Sequence, residues 1–253
     1  MLPEINFFGL TLQTFGICFA LGFIAAGAVI DRRLKELNQP VEYATQIVLC
    51  ALVGGLIGAR AYWLIDNWND TSHDLVGSIF SGSGLTWYGG AIGGAIAILI
   101  WAWVKDWLTL ALLDLCAVPL ALGYAIGRVG CQLSGDGDYG KSWDGPWAMG
   151  YPDGKVPTAP GETVHPTPIY ETIAMALLAW GLWQLRDRFR PGILFALYLV
   201  GAGLERLLVE FLRRNPDVFI GLTTAQLESL VMMIGGAVWL FVAARRGGLR
   251  KAA

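Results

Sequence analysis

Charge is scarce in this sequence. Of 253 residues, 18 are Lys or Arg and 20 are Asp or Glu, 15% in all, where soluble domains average about 25%. The net charge of −2 supplies no basic field for a phosphate backbone, so no nucleic-acid partner is expected. Histidine is scarcer still. His73 and His165 stand far apart with no ligand cluster beside them, so no metal site is expected. Four cysteines and no C-x-x-C pair leave redox chemistry without support. No internal repeat is evident. The stretch GDGDYG at 135–140 fits the dinucleotide pattern G-x-G-x-x-G by letter. No strand precedes it and no βαβ unit surrounds it, which excludes that reading. Calcium fits no better, because Gly140 occupies the next ligand position of an EF-hand loop after Asp136 and Asp138.

What the chain does have is apolar length. Hydrophobic residues make up 55%, with 11 tryptophans and 33 glycines. Trp gathers at membrane interfaces and Gly at helix contacts in lipid. A spanning helix needs about 20 mostly apolar residues. Seven segments qualify, at about 10–30, 44–65, 87–104, 108–128, 168–185, 192–212 and 226–244. These runs are too long for strands and lack strict alternation. The expected fold is an all-α integral membrane protein: one seven-helix bundle over 1–253, with a cap at 131–167 between helices four and five. Six prolines between 146 and 168 disfavour a long helix in that cap and predict short strands or turns. Trp143, Trp147 and Tyr151 are expected to pack on the cap or sit at headgroup level. Gly54/Gly58, Gly90/Gly94 and Gly123/Gly127 have the small-xxx-small spacing of close helix contacts.

Orientation follows from the basic residues of the loops. Arg32, Arg33, Lys35, Lys105, Arg186, Arg188, Arg190, Arg245, Arg246, Arg250 and Lys251 fall on one side. Lys141, Lys155, Arg213 and Arg214 fall on the other. Eleven against four places the C-terminus in the cytoplasm, the N-terminus outside and the cap outside. The first segment lacks a basic n-region, so it reads as a span and not as a cleavable signal peptide.

The remaining three basic residues, Arg60, Arg128 and Arg206, lie within or at the ends of apolar segments. Each costs at least about 2.5 kcal/mol near a bilayer centre, so each needs a partner or a wet cavity. All three lie toward the outer ends of segments two, four and six. Glu210 follows Arg206 by one helical turn on the same face. That spacing suits a local ion pair, and equally a guanidinium turned toward a phosphate, whose geometry arginine matches with two parallel donors. Glu205 adds a carboxylate on another face. Asp136 or Asp138 can serve Arg128.

These residues resemble the prolipoprotein diacylglyceryl transferase family. The resemblance rests on GRVG at 127–130 followed by Gly135-Asp136 and Gly140, PWAM at 146–149 and HPTPIYE at 165–171. It rests also on GARAY at 58–62, YGGAIGG at 88–94, the Arg206/Glu210 pair and GLTTAQLES at 221–229. It covers most of the chain in order. It implies an enzyme of the bacterial inner membrane that moves the diacylglyceryl group of phosphatidylglycerol onto the thiol of a lipobox cysteine in a prolipoprotein signal peptide, releasing glycerol phosphate. Arg128, Arg206, Glu210, Tyr88 and Asp136 are the implied catalytic residues. Arg60, Gly127, Gly130, Gly140, His165 and Glu171 are the implied substrate-binding residues. The expected partners are phosphatidylglycerol, the prolipoprotein and membrane lipid, and the resemblance implies no metal or organic cofactor.

The chain departs from the family pattern in several places. Tyr88 stands where many members have histidine, Cys131 where asparagine is usual, and Phe15 and Ala202 where tyrosines are usual. The loop 135–140 carries one extra residue, with Asp136 in place of glutamate. The proton acceptor is therefore open among Tyr88, Asp136 and Glu210, and an unperturbed tyrosine with pKa about 10 is a poor base at neutral pH. Two other readings stay open: a family member that binds lipid without chemistry, and a transferase with another acceptor.

Overall fold

The computed structural model describes residues 1–250 except 8, 9, 72, 74, 81–83, 85 and 217. Lys251, counted above among the basic residues of the C-terminal tail, lies outside the described residues. A short antiparallel hairpin, β1 (Glu4–Phe7) and β2 (Leu10–Gln13), opens the chain, with Glu4 opposite Gln13 and Phe7 opposite Leu10. Helices follow: α1 (Thr14–Glu36), α2 (Glu42–Asp66), α3 (Trp68–Thr71), α4 (Leu75–Phe80), α5 (Trp87–Val104), α6 (Leu110–Ser134), α7 (Thr167–Leu185), α8 (Ile193–Glu210) and α9 (Thr224–Gly247). Seven of these have 18 residues or more, and their bounds follow the seven apolar segments closely. Five, α1, α2, α5, α6 and α9, are long and apolar enough to cross a membrane. The other two are diluted by polar residues: Glu205, Arg206 and Glu210 on α8, and Thr167, Glu171 and Gln184 on α7. The hairpin was not expected: its strands are only 4 residues each, too short to carry a pattern, and the second takes up the start of the first apolar segment.

The chain divides into two compact units, Met1–Val29 with Leu113–Ala253, and Ile30–Leu112. In the second, α2 packs along α5 at glycines. A Cβ on Gly54 would come 2.7 Å from the Gly93 carbonyl oxygen, and Gly58 packs against Gly89. The close pair on α5 is thus Gly89/Gly93, one residue before the expected Gly90/Gly94. Trp101 donates from Nε1 to Gln46 Oε1 at 2.8 Å, and its ring meets Tyr43 and Trp107 edge-on.

In the first unit the core is made of Ala117, Ala121 and Ala125 on α6, Met175, Ala179 and Leu182 on α7, and Leu194 and Ala202 on α8. Small residues let these three helices approach. Asp114 on α6 accepts from the backbone of Gly192 and Phe195, both at 2.8 Å, and so caps the start of α8. Outward faces are apolar. Ile173, Leu177 and Trp180 on α7, and Val231, Ile234, Val238 and Phe241 on α9, are all more than half exposed at helical spacing.

The segment between α6 and α7 folds on a small core of Tyr139, Tyr151 and Val164, with Met1 and Met149 against it. Tyr151 is fully buried and donates to Gln132 Oε1 at 2.8 Å. Regular structure there is limited to isolated bridges, Ser142 with Val164 and Met149 with Val164. Trp143 stacks on His165 with ring centroids 4.3 Å apart, and Trp147, 60% exposed, donates to the Tyr170 hydroxyl at 2.7 Å.

Candidate active site

The site grows from the end of α6. The helix runs on through Gly127, Arg128, Gly130 and Cys131 to Ser134, so these residues are helical and the non-helical segment begins at Gly135. Gly130 allows that continuation to pack on α1, because a Cβ there would sit 2.9 Å from Cys18 Cβ. Gly127 has nothing within 4 Å of such a Cβ, so close packing does not explain it. Gly135 (φ 59°) and Gly137 (φ 92°) then turn the chain through the left-handed region. The turn aims the Asp138 carboxylate back at Arg128.

Arg128 is held on several sides. Its Nη1 pairs with Asp138 Oδ2 and lies 3.8 Å from Cys131 Sγ. Its Nη2 donates to the Tyr124 hydroxyl at 3.0 Å and lies 3.2 Å from Glu171 Oε1. Tyr124 is one turn earlier on α6, with its ring centroid 4.9 Å from the Arg128 guanidinium carbon, and its hydroxyl donates to Glu171 Oε1 at 2.9 Å.

Arg206 arrives from α8 at the same atom. Its Nη1 donates to Glu171 Oε1 at 3.3 Å, and its Nη2 pairs with Glu210 Oε2 at 2.9 Å. Two guanidiniums 78 positions apart in sequence therefore meet on one fully buried carboxylate. Glu210 is fixed in turn by Asn215 Nδ2 at 2.6 Å and by Thr223 Oγ1 at 2.8 Å. Thr223 also forms a capping box with Gln226 at the start of α9.

A third arginine completes the cluster. Arg213, just past α8 and 8% exposed, pairs with Asp138 Oδ1, with Glu171 Oε2 at 3.5 Å and with Glu210 Oε2 at 3.9 Å. Sequence reasoning sorted it among outer loop charges. Its position, three residues after Glu210 and seven after Arg206, was a usable signal. Three arginines thus face three carboxylates. Glu171 Oε2, Glu210 Oε2 and Arg213 Nη1 are buried without a hydrogen bond, although ion-paired, so the cluster keeps unused donor and acceptor capacity.

The two aspartates of the loop differ. Burial pushes the Asp138 carboxyl up, but the charges of Arg128 and Arg213 outweigh it and hold it below the usual carboxylate range. Burial, with the Asp138 charge added, pushes Asp136 above that range. Asp136 Oδ1 accepts from the Asp138 backbone at 3.3 Å and makes no ion pair with an arginine among the described residues. Of the two loop aspartates, the partner of Arg128 is therefore Asp138. Gly140 brings the loop against the end of α8: a Cβ there would lie 2.6 Å from the Leu212 carbonyl oxygen. Gly140 N donates to His165 O at 2.8 Å, and Arg214 Nε to Gly140 O at 2.8 Å. His165 Nδ1 lies 3.3 Å from the Tyr170 hydroxyl, within the aromatic group of this segment.

Arg60 and Tyr88 belong to the second unit. Arg60 donates to the carbonyls of Ile79 at 3.2 Å and Gly84 at 2.8 Å, with its guanidinium over the Trp63 ring. Tyr88, at the start of α5, has its ring beside Tyr62 and Trp87.

The sequence matches the profile described as Prolipoprotein diacylglyceryl transferase over residues 3–242. The chain belongs to the prolipoprotein diacylglyceryl transferase family. It is 33% identical over 232 residues to the phosphatidylglycerol–prolipoprotein diacylglyceryl transferase of Clostridium tetani, covering 90% of this chain and 92% of that one. The protein of the same name in Dehalococcoides mccartyi (strain BAV1) is 34% identical over 237 residues, covering 92% and 89%. That of Leptospira interrogans (strain Fiocruz L1-130) is 31% identical over 234 residues, covering 82% and 73%. Within this family member, Cys131 takes a place beside Arg128, Ala202 is buried in the core, and Phe15 packs near Gly130.

Proposed function

We propose that this chain transfers the diacylglyceryl group of phosphatidylglycerol to the lipobox cysteine of a prolipoprotein signal peptide, releasing glycerol phosphate. The observation that carries this reading is the convergence of Arg128 and Arg206 on one anion position, now taken by Glu171 Oε1 at 3.2 and 3.3 Å. A phosphodiester is recognised by two-pronged arginine donors. Each guanidinium has five N–H donors, more than the carboxylates here can absorb. In the reaction the lipobox thiol loses its proton, because the thiolate is the nucleophile. Sulfur then attacks the glyceryl carbon, and the bond to the phosphate oxygen breaks. Charge grows on that oxygen, and fixed guanidiniums lower the barrier by being in place beforehand. Glu171, Glu210 and Asp138 hold the arginines in alignment. Gly127 leaves open space where a Cβ would point, Gly130 and Gly140 let the backbone pack closely, and His165 is a further candidate for lining the substrate path; Arg60 and Tyr88, in the second unit, are carried as candidates by the resemblance alone.

The proposed setting is one bundle of seven spans in a bacterial inner membrane, N-terminus outside, with 131–167 as an extracytoplasmic cap. Support for counting α7 and α8 among the spans comes from their outward residues, Ile173, Leu177 and Trp180 on one, Leu204 and Leu208 on the other, all exposed. Such residues suit lipid.

Transfer to a lipobox peptide in detergent tests the reading. Arg128→Ala and Arg206→Ala are each expected to lower kcat/KM by 100-fold or more, in the range seen when one preorganised charge donor is lost. Lysine at either position restores only part, since the charge stays and the fork is lost. Wild-type turnover in both alanine variants at limiting phosphatidylglycerol would refute the clamp.

A further inference from the structure

One carboxyl of this cluster has no hydrogen bond or ion pair among the described residues. Glu205 stands one residue before Arg206 on α8, and its Oε1 is buried with no hydrogen bond. Every other carboxylate of the cluster is clamped: Asp138 by Arg128 and Arg213, Glu171 by Arg128, Arg206 and Arg213, Glu210 by Arg206. Three arginines are matched by three carboxylates, and Glu205 is the fourth. The groups in electrostatic reach of it are Glu171, Arg128, Arg206 and Arg213, together with the hydroxyls of Tyr124 and Tyr198.

The transfer chemistry needs a proton acceptor, and the residues first considered for that task are poorly placed for it. Glu210 Oε2 is ion-paired with Arg206, and its Oε1 accepts from Asn215 and Thr223. Both of its oxygens are thus already engaged. Asp136 is engaged by the Asp138 backbone. Tyr88 is a phenol, a poor base at neutral pH.

We propose that Glu205 is the proton acceptor for the substrate thiol, an inference that rests on the transferase reading above. The thiol proton passes to Glu205 Oε1. The sulfur electron pair forms the S–C bond to the glyceryl carbon, and the C–O bond breaks with its pair on the phosphate oxygen. Glu205 returns the proton to that oxygen, so a hydrogen glycerol phosphate leaves and the carboxylate is restored. Thiol and phosphodiester go in, thioether and phosphate monoester come out, and no further reactant is needed.

The test is single-turnover transfer from phosphatidylglycerol to a lipobox peptide by the full-length protein, from pH 6 to 9.5. Glu205→Gln keeps the shape and removes the acceptor. It is expected to lower the rate about 100-fold or more at pH 7. The defect shrinks as pH passes about 8.5, where the free thiol ionises without help. A peptide bearing a selenol, already ionised at pH 7, rescues the variant at that pH. Binding of phosphatidylglycerol vesicles stays at the wild-type level. Glu205→Asp, which keeps a carboxylate, recovers part of the pH 7 rate and guards against a folding artefact. A wild-type rate for Glu205→Gln at pH 7 overturns the proposal. So does a defect that is equal at pH 7 and 9.5 and indifferent to the selenol, which marks a structural role. So does rescue by high pH in Asp136→Asn in place of Glu205→Gln. Any of these leaves the arginine clamp standing, whereas wild-type turnover in Arg128→Ala and Arg206→Ala removes the transferase reading itself.

Discussion

Replacing Glu171 is the sharpest perturbation of the cluster. The side chain is fully buried and lies 2.9 Å from the Tyr124 hydroxyl, 3.2 Å from Arg128, 3.3 Å from Arg206 and 3.5 Å from Arg213. Removing one side of a buried ion pair leaves the other charges uncompensated and costs about 3–5 kcal/mol. At roughly 2–4 °C per kcal/mol for a chain near this size, Glu171→Ala should melt about 6–20 °C below wild type. Glu171→Gln separates charge from shape. It still accepts from Tyr124, but three guanidiniums then face two carboxylates. The anion position becomes more attractive while the forks lose alignment. The expected signature is a lower KM for phosphatidylglycerol together with a kcat reduced about 100-fold, the scale of a 1 Å misplacement. Intrinsic tryptophan fluorescence in detergent gives the melting point, and transfer to a lipobox peptide gives the kinetics. A Glu171→Ala protein that melts with wild type and turns over within twofold of it would show that Glu171 does not hold the arginines.

Asp136 and Asp138 should respond in opposite senses. The Asp138 carboxyl is depressed in the fold, so its contribution is present above about pH 4 and is lost as pH falls through the folded value; Asp138→Asn is expected to lower the melting point at pH 7 and to weaken its acid dependence. The Asp136 carboxyl is raised, so it favours the fold only at acid pH and opposes it as pH climbs through the folded value; Asp136→Asn should raise the melting point at pH 7, and a fall would contradict the assignment. Gly140→Ala forces a Cβ to within 2.6 Å of the Leu212 carbonyl, so transfer should drop about tenfold or more with helix content intact by circular dichroism. A reporter active only in the cytoplasm, fused after Ala253, should be active; an active periplasmic reporter there would reverse the orientation.

The helices were legible because lipid-sized apolar runs leave little choice of structure. Even the diluted segments α7 and α8 fell within about two residues of their expected bounds. The end of α6 was less legible. Gly127 and Gly130 are weak helix formers, and packing of Gly130 on Cys18 overrides that preference. Of the site, the Arg128–Arg206 convergence was readable, since two costly charges at similar depth need a shared answer. The choice between Asp136 and Asp138 was not, because it turns on the positive φ of Gly135 and Gly137. Arg213 was missed as a member of the cluster because a count of loop charges says nothing of burial, and this one is 8% exposed.

The cluster also explains why a segment poor in regular structure is kept close to the helices. Asp138, one of the three carboxylates, belongs to that segment and not to a helix. Its backbone carbonyl accepts from Thr167 Oγ1 at 2.6 Å, which ties it to the start of α7. Three residues on, Lys141 N donates to Leu212 O at 2.7 Å, and Lys141 Nζ reaches Phe211 O at 2.9 Å, which ties it to the end of α8. Arg214 then bridges Gly140 O and Glu162. Arg128 from α6 and Arg213 from the end of α8 are joined through Asp138 only while this loop is docked. Undocking would leave two guanidiniums short of a carboxylate, and that cost opposes opening when no anion is bound. On the proposed reading a phosphate between the arginines would replace the missing charge, so a lesion that loosens the loop is expected to be felt at Arg128, and one that removes Arg128 is expected to be felt in the loop.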